Sequence, residues 1–155
     1  MHPHEALVRE LYARFAAGDS EGMARCYHPD VLFSDPVFPR LRGREACDMW
    51  RMLLGRARSL EVVLEDAAGD RNGATARWTA GYDFRGRRVV NRVRSSFAFR
   101  DDLIARQLDA FPFWAWARQA FGTPGTLLGW SWPFKLLVRR DAARSLERFS
   151  DLRDA

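Results

Sequence analysis

ATARWTAGYDF, residues 74–84, alternates small or aromatic side chains with polar or charged ones. Successive side chains of an extended strand point to opposite faces, so this alternation predicts a strand with one apolar face. That face carries Ala74, Ala76, Trp78, Ala80, Tyr82 and Phe84, and the other carries Thr75, Arg77, Thr79 and Asp83. The alanines beside Trp78 and Tyr82 leave room for a ligand on the apolar face.

The same period of two starts at residue 59 and continues beyond this stretch. It predicts strands at 60–64, 74–84, 88–100 and 103–111. The connecting segments GDRNG (69–73), RGR (85–87) and DD (101–102) have the composition of tight turns. Short turns join antiparallel neighbours, so these four segments should form a four-stranded antiparallel meander. A short strand at 31–33 is predicted to extend it.

The first half of the chain has helical rather than alternating spacing. Apolar residues recur three and four apart in 7–15, and again in 46–54 after Gly43, with a short helix between them from about residue 20. We therefore predict an α+β fold in which a curved antiparallel sheet wraps around three N-terminal helices to form a cone. This cone domain should span 1–112, and 113–155 should be an aromatic and basic helical extension of the same domain.

The composition excludes several classes of protein. Hydrophobic residues make up 47% of the 155 residues, enough for a sizeable core. The net charge is +5, but the 25 basic residues are spread along the chain among 20 acidic ones, which argues against a nucleic-acid-binding face. The two cysteines have no zinc-ligand spacing, so no metal site is predicted. Without an apolar leader or membrane-length segment, the expected location is the cytoplasm.

Four further stretches form a recognisable series: YARFAAGD (12–19), YHPDVLFSDP (27–36), GREA (43–46) and LDAF (108–111). Together they resemble the nuclear transport factor 2-like superfamily, which includes ketosteroid isomerase and the SnoaL-like cyclases. The resemblance implies a cone with a small-molecule pocket and places the proton-moving base of ketosteroid isomerase at Asp35. Asp109 matches an acidic position on the last strand of SnoaL-like members. The tyrosine of the isomerase falls on Leu11, with Tyr12 one residue away, and its second aspartate falls near Ser95.

Asp35 and Asp109 are therefore the candidate catalytic residues. Asp35 would act as a general base whose pKa is raised by apolar neighbours, although an Asp-Pro pair is also a common turn cap. Asp109 lies among apolar residues and would be a second acid or base facing Asp35, or else the partner of an arginine such as Arg106. The predicted substrate-binding residues are Tyr82, Asn91, Ser95, Trp50 and Trp78, each of which could instead be a core residue.

The residues predict an enzyme that acts on a hydrophobic small molecule without a cofactor. Isomerisation, cyclisation and dehydration all fit an unassisted carboxylate base, and neither a phosphate-binding loop nor a nucleophile elbow is present. The alternatives are a non-catalytic ligand-binding or dimeric interaction protein on the same fold, and hydration like that of epoxide hydrolases. We also expect a homodimer. The tryptophan-rich extension could pack on the sheet, cover the pocket as a lid, or contact a membrane surface.

Overall fold

Three helices form the first layer of the computed structural model, which describes residues 1–155. They are α1 (Pro3–Ala16), α2 (Ser20–Ala24) and α3 (Arg44–Arg56). The inward face of α1 buries Val8, Leu11, Tyr12 and Phe15, as their helical spacing predicts. The side chain of Asp19 caps α2 by accepting a 2.8 Å hydrogen bond from the backbone N–H of Gly22.

Six strands form a single curved sheet. They are β1 (Tyr27–Ser34), β2 (Leu41–Arg42), β3 (Arg58–Asp70), β4 (Gly73–Phe84), β5 (Arg87–Arg100) and β6 (Leu103–Ala110). Their order across the sheet is β2-β1-β6-β5-β4-β3, so the last four strands form the predicted antiparallel meander. The α+β prediction is confirmed.

One strand pair departs from the purely antiparallel prediction. β1 runs parallel to β6, with Phe33 opposite Gln107 and Ser34 opposite Leu108. Alternation reveals that a segment is extended, but it does not reveal its direction relative to a strand 70 residues away. β1 also begins earlier than predicted, at Tyr27 rather than at residue 31.

The main core fills the space between α1–α3 and the concave face of the sheet. It is one cluster of 24 buried residues, in which the alternating positions of β4 and β5 meet the inward faces of the helices. Trp78 of β4, for example, packs against Tyr12 and Phe15 of α1 with ring centroids 5.3 and 5.5 Å apart. This packing orients the sheet so that its apolar face points into the cone.

The C-terminal extension contains three helices, α4 (Phe113–Phe121), α5 (Thr123–Leu128) and α6 (Trp132–Asp154). Only residues 129–131 connect α5 to α6, and Pro124 and Pro133 occupy first-turn positions where they favour a helix start. α4 packs against β5 around a second buried cluster that includes Val89, Trp116 and Val138. No helix of the structure is both long and apolar enough to cross a lipid bilayer.

The far end of α6 is fastened to α3 through a buried carboxylate. Asp48 is 1% exposed and accepts a 2.8 Å hydrogen bond from Ser150, as well as one of 3.0 Å from Arg51. Arg44 forms a 2.6 Å ion pair with Asp154 at the helix end. These contacts hold α6 along the open side of the cone, where it can form part of a cavity wall.

Candidate functional site

A cavity of about 620 Å3 lies between the concave face of the sheet, α3 and the C-terminal extension. Most of its wall is hydrophobic, and 21 of its 29 lining residues are apolar. Six of the seven predicted site residues line it, namely Asp35, Asp109, Tyr82, Asn91, Trp50 and Trp78. The volume is in the range of small-molecule pockets, so an apolar ligand with a few polar atoms would fit.

Asp35 follows β1 and performs two roles with its two carboxylate oxygens. Oδ1 accepts hydrogen bonds of 2.7 and 2.6 Å from the backbone N–H groups of Val37 and Phe38, which is the turn cap expected of an Asp-Pro pair. Oδ2 has no hydrogen-bond partner in the protein, and the residue lines the cavity. Turn capping therefore leaves one oxygen free for chemistry.

Desolvation is the main influence on the Asp35 carboxyl. It raises the pKa to about 6, although the two backbone hydrogen bonds and the positive charge of Arg139 act in the opposite direction. Arg139 forms no ion pair with Asp35; its Nε donates instead to the backbone oxygen of Pro36 at 2.9 Å. A carboxyl with a pKa near 6 is mostly ionised at neutral pH, yet it is more basic than an exposed aspartate.

Asp109 lies on β6 directly opposite Ser95 on β5. Its Oδ1 accepts hydrogen bonds from the Ser95 hydroxyl at 2.6 Å and from the Gln107 amide at 3.0 Å. Its Oδ2 accepts none, and it is not among the fully buried polar atoms without a partner. Oδ2 is therefore the oxygen that the cavity can reach.

Burial dominates the electrostatics of Asp109. It raises the pKa of the carboxyl to about 7, with a smaller contribution from the negative charge of Asp35, while the hydrogen bonds from Ser95 and Gln107 oppose the rise. No arginine pairs with Asp109, so the alternative of an ion pair with Arg106 does not hold. Since every hydrogen bond to the carboxyl ends on Oδ1, a proton on Asp109 belongs on Oδ2.

The Ser95 hydroxyl is fully engaged within the protein. It accepts hydrogen bonds from Tyr12 Oη at 3.0 Å and from Trp78 Nε1 at 2.8 Å while it donates to Asp109. A hydroxyl has one donor and two acceptor positions, so no capacity remains for a ligand. We therefore correct the prediction that Ser95 binds substrate: it lies behind the cavity wall and positions Asp109.

Tyr82 and Asn91 present unused polar groups to the cavity. The Tyr82 hydroxyl accepts a 2.8 Å hydrogen bond from Trp116 Nε1, and its own proton has no acceptor in the protein. Burial raises the pKa of this phenol, which keeps it protonated. The amide of Asn91, opposite Ala80 in the ladder, forms no side-chain hydrogen bond within the protein. Both groups can therefore bind a ligand oxygen.

The rings of Trp50 and Trp78 form flat, apolar parts of the cavity wall. Trp50 packs edge-on against Phe15 and Phe33 with centroids 5.0 and 5.6 Å apart, and its buried Nε1 has no partner. Trp78 Nε1 is already bonded to Ser95, so only its ring faces the cavity. The two tryptophans thus serve the core and the cavity together, rather than one or the other.

The C-terminal extension closes one side of the cavity. Eight of its residues contribute to the wall: Trp116, Phe121, Phe134, Leu137, Val138, Asp141, Ala142 and Ser145. The packing and covering roles predicted for this segment are therefore combined, because the helices that pack on the sheet also form the wall. Nothing in residues 1–112 replaces this side, so the cavity depends on the extension.

Three polar residues of the site carried no functional prediction from the sequence. Tyr12, not Leu11, reaches the Ser95–Asp109 pair, and Tyr27 donates a 2.5 Å hydrogen bond to the Gln107 carbonyl oxygen. Gln107 shares the inward face of β6 with Asp109, which was the signal available for Gln107. Which residue lies opposite Asp109 on the neighbouring strand becomes evident only from the register of the sheet.

Solved structures with the same fold extend over most of the chain. An LEH-like epoxide hydrolase from M. tuberculosis is 19% identical, with a TM-score of 0.66 over 83% of this chain and 97% of its own. An NTF2-like protein of unknown function from Burkholderia pseudomallei is 16% identical, with a TM-score of 0.69 over 79% and 100%. A proposed polyketide cyclase from Xanthomonas campestris is 21% identical, with a TM-score of 0.64 over 76% and 96%.

These identities show a common fold and do not by themselves transfer an activity. A comparison with curated protein sequences gave no match. The model of the SnoaL-like domain matches residues 8–107, which include most of α1 and most of the sheet. The chain therefore belongs to the SnoaL-like domain family of the nuclear transport factor 2-like superfamily.

Proposed function

We propose that this protein is a cofactor-independent enzyme that moves a proton on a hydrophobic small molecule, as an isomerase, cyclase or dehydratase does. The observation that carries the proposal is a pair of carboxyls, Asp35 and Asp109, in one apolar cavity, each with a free oxygen. An unpaired buried carboxyl is unfavourable for folding, so a pair of them is more typical of a functional site than of a structural core.

Asp35 is the base of this proposal. Its pKa of about 6 lies below that of Asp109, about 7. At a pH between these two values, the single negative charge of the pair resides on Asp35 and the proton resides on Asp109 Oδ2. Asp35 Oδ2 removes a proton from carbon, and a base with a pKa near the working pH does this efficiently.

The remaining groups stabilise the charge that develops on the substrate oxygen. Removal of a proton beside a carbonyl yields an enolate, whose oxygen accepts hydrogen bonds from the protonated Asp109 and from the free hydroxyl of Tyr82. Neutral donors fixed in a dry cavity lower the energy of such an oxyanion. Asn91 can orient a second polar atom, and the rings of Trp50 and Trp78 contact the apolar body of the substrate.

Hydration of an epoxide is the second candidate, and the same carboxyl pair favours it. One carboxylate would activate water while the protonated carboxyl donates its proton to the opening epoxide oxygen. The M. tuberculosis structure described as an LEH-like epoxide hydrolase shares the fold at 19% identity. The two candidates differ in the fate of the Asp109 proton, which stays on the enzyme in isomerisation and leaves with the product in hydration.

A ligand-binding protein without catalysis is the remaining alternative. Such a protein could use the same cavity, but it would have no need for two carboxyls whose ionisation costs free energy in an apolar wall.

The homodimer expected from the sequence also stays a prediction.

The test is a panel of β,γ-unsaturated ketones and of apolar epoxides, incubated in deuterated or ¹⁸O-labelled water. Proton transfer at carbon would appear as rearranged ketone or as deuterium exchange, and hydration would appear as a diol with one labelled oxygen. Each active compound is then tested with Asp35→Asn. Tight binding of the panel with no turnover of any compound, at any pH between 5 and 8, would favour the non-catalytic alternative.

A further inference from the structure

An apolar ridge stands out on the surface where α5 turns into α6. We define it as the exposed residues Leu127, Leu128, Trp130, Trp132 and Leu136, which are 63, 51, 76, 60 and 47% exposed. They lie within ten consecutive positions around a three-residue turn, so they form one patch rather than scattered exposures. Soluble surfaces rarely expose two tryptophans and three leucines together unless the patch contacts something.

The stretch of sequence that contains the ridge carries only basic charge. Between residues 110 and 140 there is no acidic residue, whereas Arg118, Lys135, Arg139 and Arg140 are all present. Lys135 and Arg139 lie 5.8 and 5.4 Å from the ring centroid of Trp132. The cations therefore flank the apolar side chains directly, although the chain as a whole mixes both signs.

A cationic groove adjoins the ridge. We define it by its lining residues Gly86, Arg87, Arg88, Arg118, Gln119 and Thr126, which enclose about 630 Å3. Arg88 forms ion pairs with Asp83 and Glu61 at 3.5 and 3.7 Å, whereas Arg87 and Arg118 form none. Arg118 forms no hydrogen bond and stacks over the ring of Trp114, whose Nε1 donates to the Thr126 backbone oxygen at 3.1 Å. Thr126 precedes Leu127, so the groove and the ridge are continuous.

We propose that this surface docks the protein on an anionic lipid bilayer. The ridge would enter the boundary between headgroups and acyl chains, and the groove and flanking cations would contact lipid phosphates. Tryptophan and leucine beside basic side chains are the composition of interfacial segments, and each cation near an anionic surface adds to binding. A second copy of the chain fits less well, because a two-fold contact would bring these cations against one another.

The position of the ridge gives the docking a consequence. Leu137 is 57% exposed and also lines the apolar cavity that contains Asp35 and Asp109, as does Phe134 one turn away on α6. The cavity therefore reaches the surface beside the ridge, where a bilayer could supply apolar ligands. The docking inference itself does not depend on which reaction the cavity supports.

The primary test is sedimentation with vesicles of phosphatidylcholine alone or with one lipid in three replaced by phosphatidylglycerol. We expect binding to the anionic vesicles that weakens as salt is added, and much less binding to the neutral ones. The triple variant Leu127→Ser, Leu128→Ser, Trp130→Ser should reduce the partition coefficient at least about 10-fold. The matched control is Leu152→Ser, which removes an apolar residue that is 77% exposed at the far end of α6 and should leave binding unchanged.

The groove is tested separately with Arg87→Gln and Arg118→Gln. This pair should weaken binding to anionic vesicles and flatten its salt dependence, with no effect on neutral ones. If the triple variant does not fold by circular dichroism, Trp130→Ser alone replaces it, since that side chain bonds only to the Leu127 backbone oxygen.

Three results would overturn the inference. The first is failure of the wild-type protein to bind anionic vesicles at low salt. The second is an equal loss of binding in the control. The third is a wild-type dimer that the triple variant converts to a monomer without any change in vesicle binding, which would assign the ridge to a second copy.

Discussion

Ser95 donates a 2.6 Å hydrogen bond to Asp109 Oδ1 from the position directly opposite on the neighbouring strand. The same hydroxyl is held from behind by the donors of Tyr12 and Trp78. Because both donors reach the serine oxygen, its proton can point only toward the aspartate. One side of the Asp109 carboxyl is therefore occupied, and its other oxygen is left to the cavity.

The first prediction concerns the pH dependence of activity. If Asp35 acts ionised and Asp109 acts protonated, kcat/KM should be bell-shaped, with limbs near the pKa values of about 6 and about 7. Ser95→Ala removes a hydrogen bond that lowers the pKa of Asp109, so the alkaline limb should move to higher pH while the acid limb stays. Ser96→Ala, the exposed neighbour that points away, is the control. An unchanged alkaline limb in Ser95→Ala would refute this role of the network.

The second prediction separates the two roles of Asp35. Asp35→Asn keeps an oxygen for the N–H groups of Val37 and Phe38, whereas Asp35→Ala removes it. Both variants should lower kcat about 100-fold or more, since both lack the base. Only the alanine variant should lose stability, by roughly 1–2 kcal/mol for the lost turn cap. Steady-state kinetics and thermal melts measure these effects, and an active Asp35→Asn enzyme would limit Asp35 to the turn.

The sequence predicted the cone because strand alternation and helical spacing decide which side chains face the core. Alternation also placed Asn91 on the inward face of β5, whereas Asp35 and Asp109 became candidate catalytic residues through the family resemblance. The Ser95 assignment failed because alternation shows that a side chain points inward but not which side chain stands opposite it. That depends on register, as does the parallel pairing of β1 with β6.

The C-terminal wall was predictable only in part. Aromatic composition indicated that the extension could pack on the sheet, but the hydrogen bond from Trp116 to Tyr82 joins residues 34 positions apart. No local pattern specifies such a contact, because it depends on how α4 crosses the sheet. The sequence therefore showed that the extension is rich in aromatic residues, but not where each of their side chains lies.

The third prediction uses Asp109→Asn to distinguish isomerisation from hydration. The asparagine oxygen can accept the hydrogen bonds from Ser95 and Gln107, which leaves its NH2 facing the cavity as a neutral donor. An isomerase needs only that donor and should lose about 10-fold in kcat, whereas hydration needs the proton itself and should lose 100-fold or more. Asp109→Leu, which has no donor, should be severely impaired in either case. Equal activity of Asp109→Leu and wild type would remove Asp109 from the mechanism.

The fourth prediction is a homodimer that pairs through the outer face of the sheet. This face carries Thr79, Arg92 and Arg94, together with Val63, which is 58% exposed opposite Thr79. Light scattering should give twice the 17.9 kDa mass of one chain. Val63→Arg should shift the protein to monomers, and Leu152→Arg, at the far end of α6, should not. A mass of one chain over a wide concentration range would refute the dimer.

The last prediction concerns stability against pH. The carboxyls of Asp35 and Asp109 have folded pKa values of about 6 and about 7, above the roughly 3.9 of an unfolded aspartate. Between pH 4 and 7 the folded state therefore binds more protons than the unfolded one, and stability must fall as pH rises through this window. The stability that these two protonated carboxyls contribute is complete below about pH 4 and is lost above their folded pKa values.

Differential measurements isolate the two groups from other titrations. Asp35→Asn and Asp109→Asn cannot ionise, so each should melt several degrees higher relative to wild type at pH 8 than at pH 5. The exposed Asp66→Asn, on the outer side of β3, should show no such difference between the two pH values. If the aspartate-to-asparagine gain at positions 35 and 109 is the same at both pH values, the two carboxyls are not held protonated by the cavity. Asp35 and Asp109 would then lack the raised pKa values on which the acid–base proposal depends.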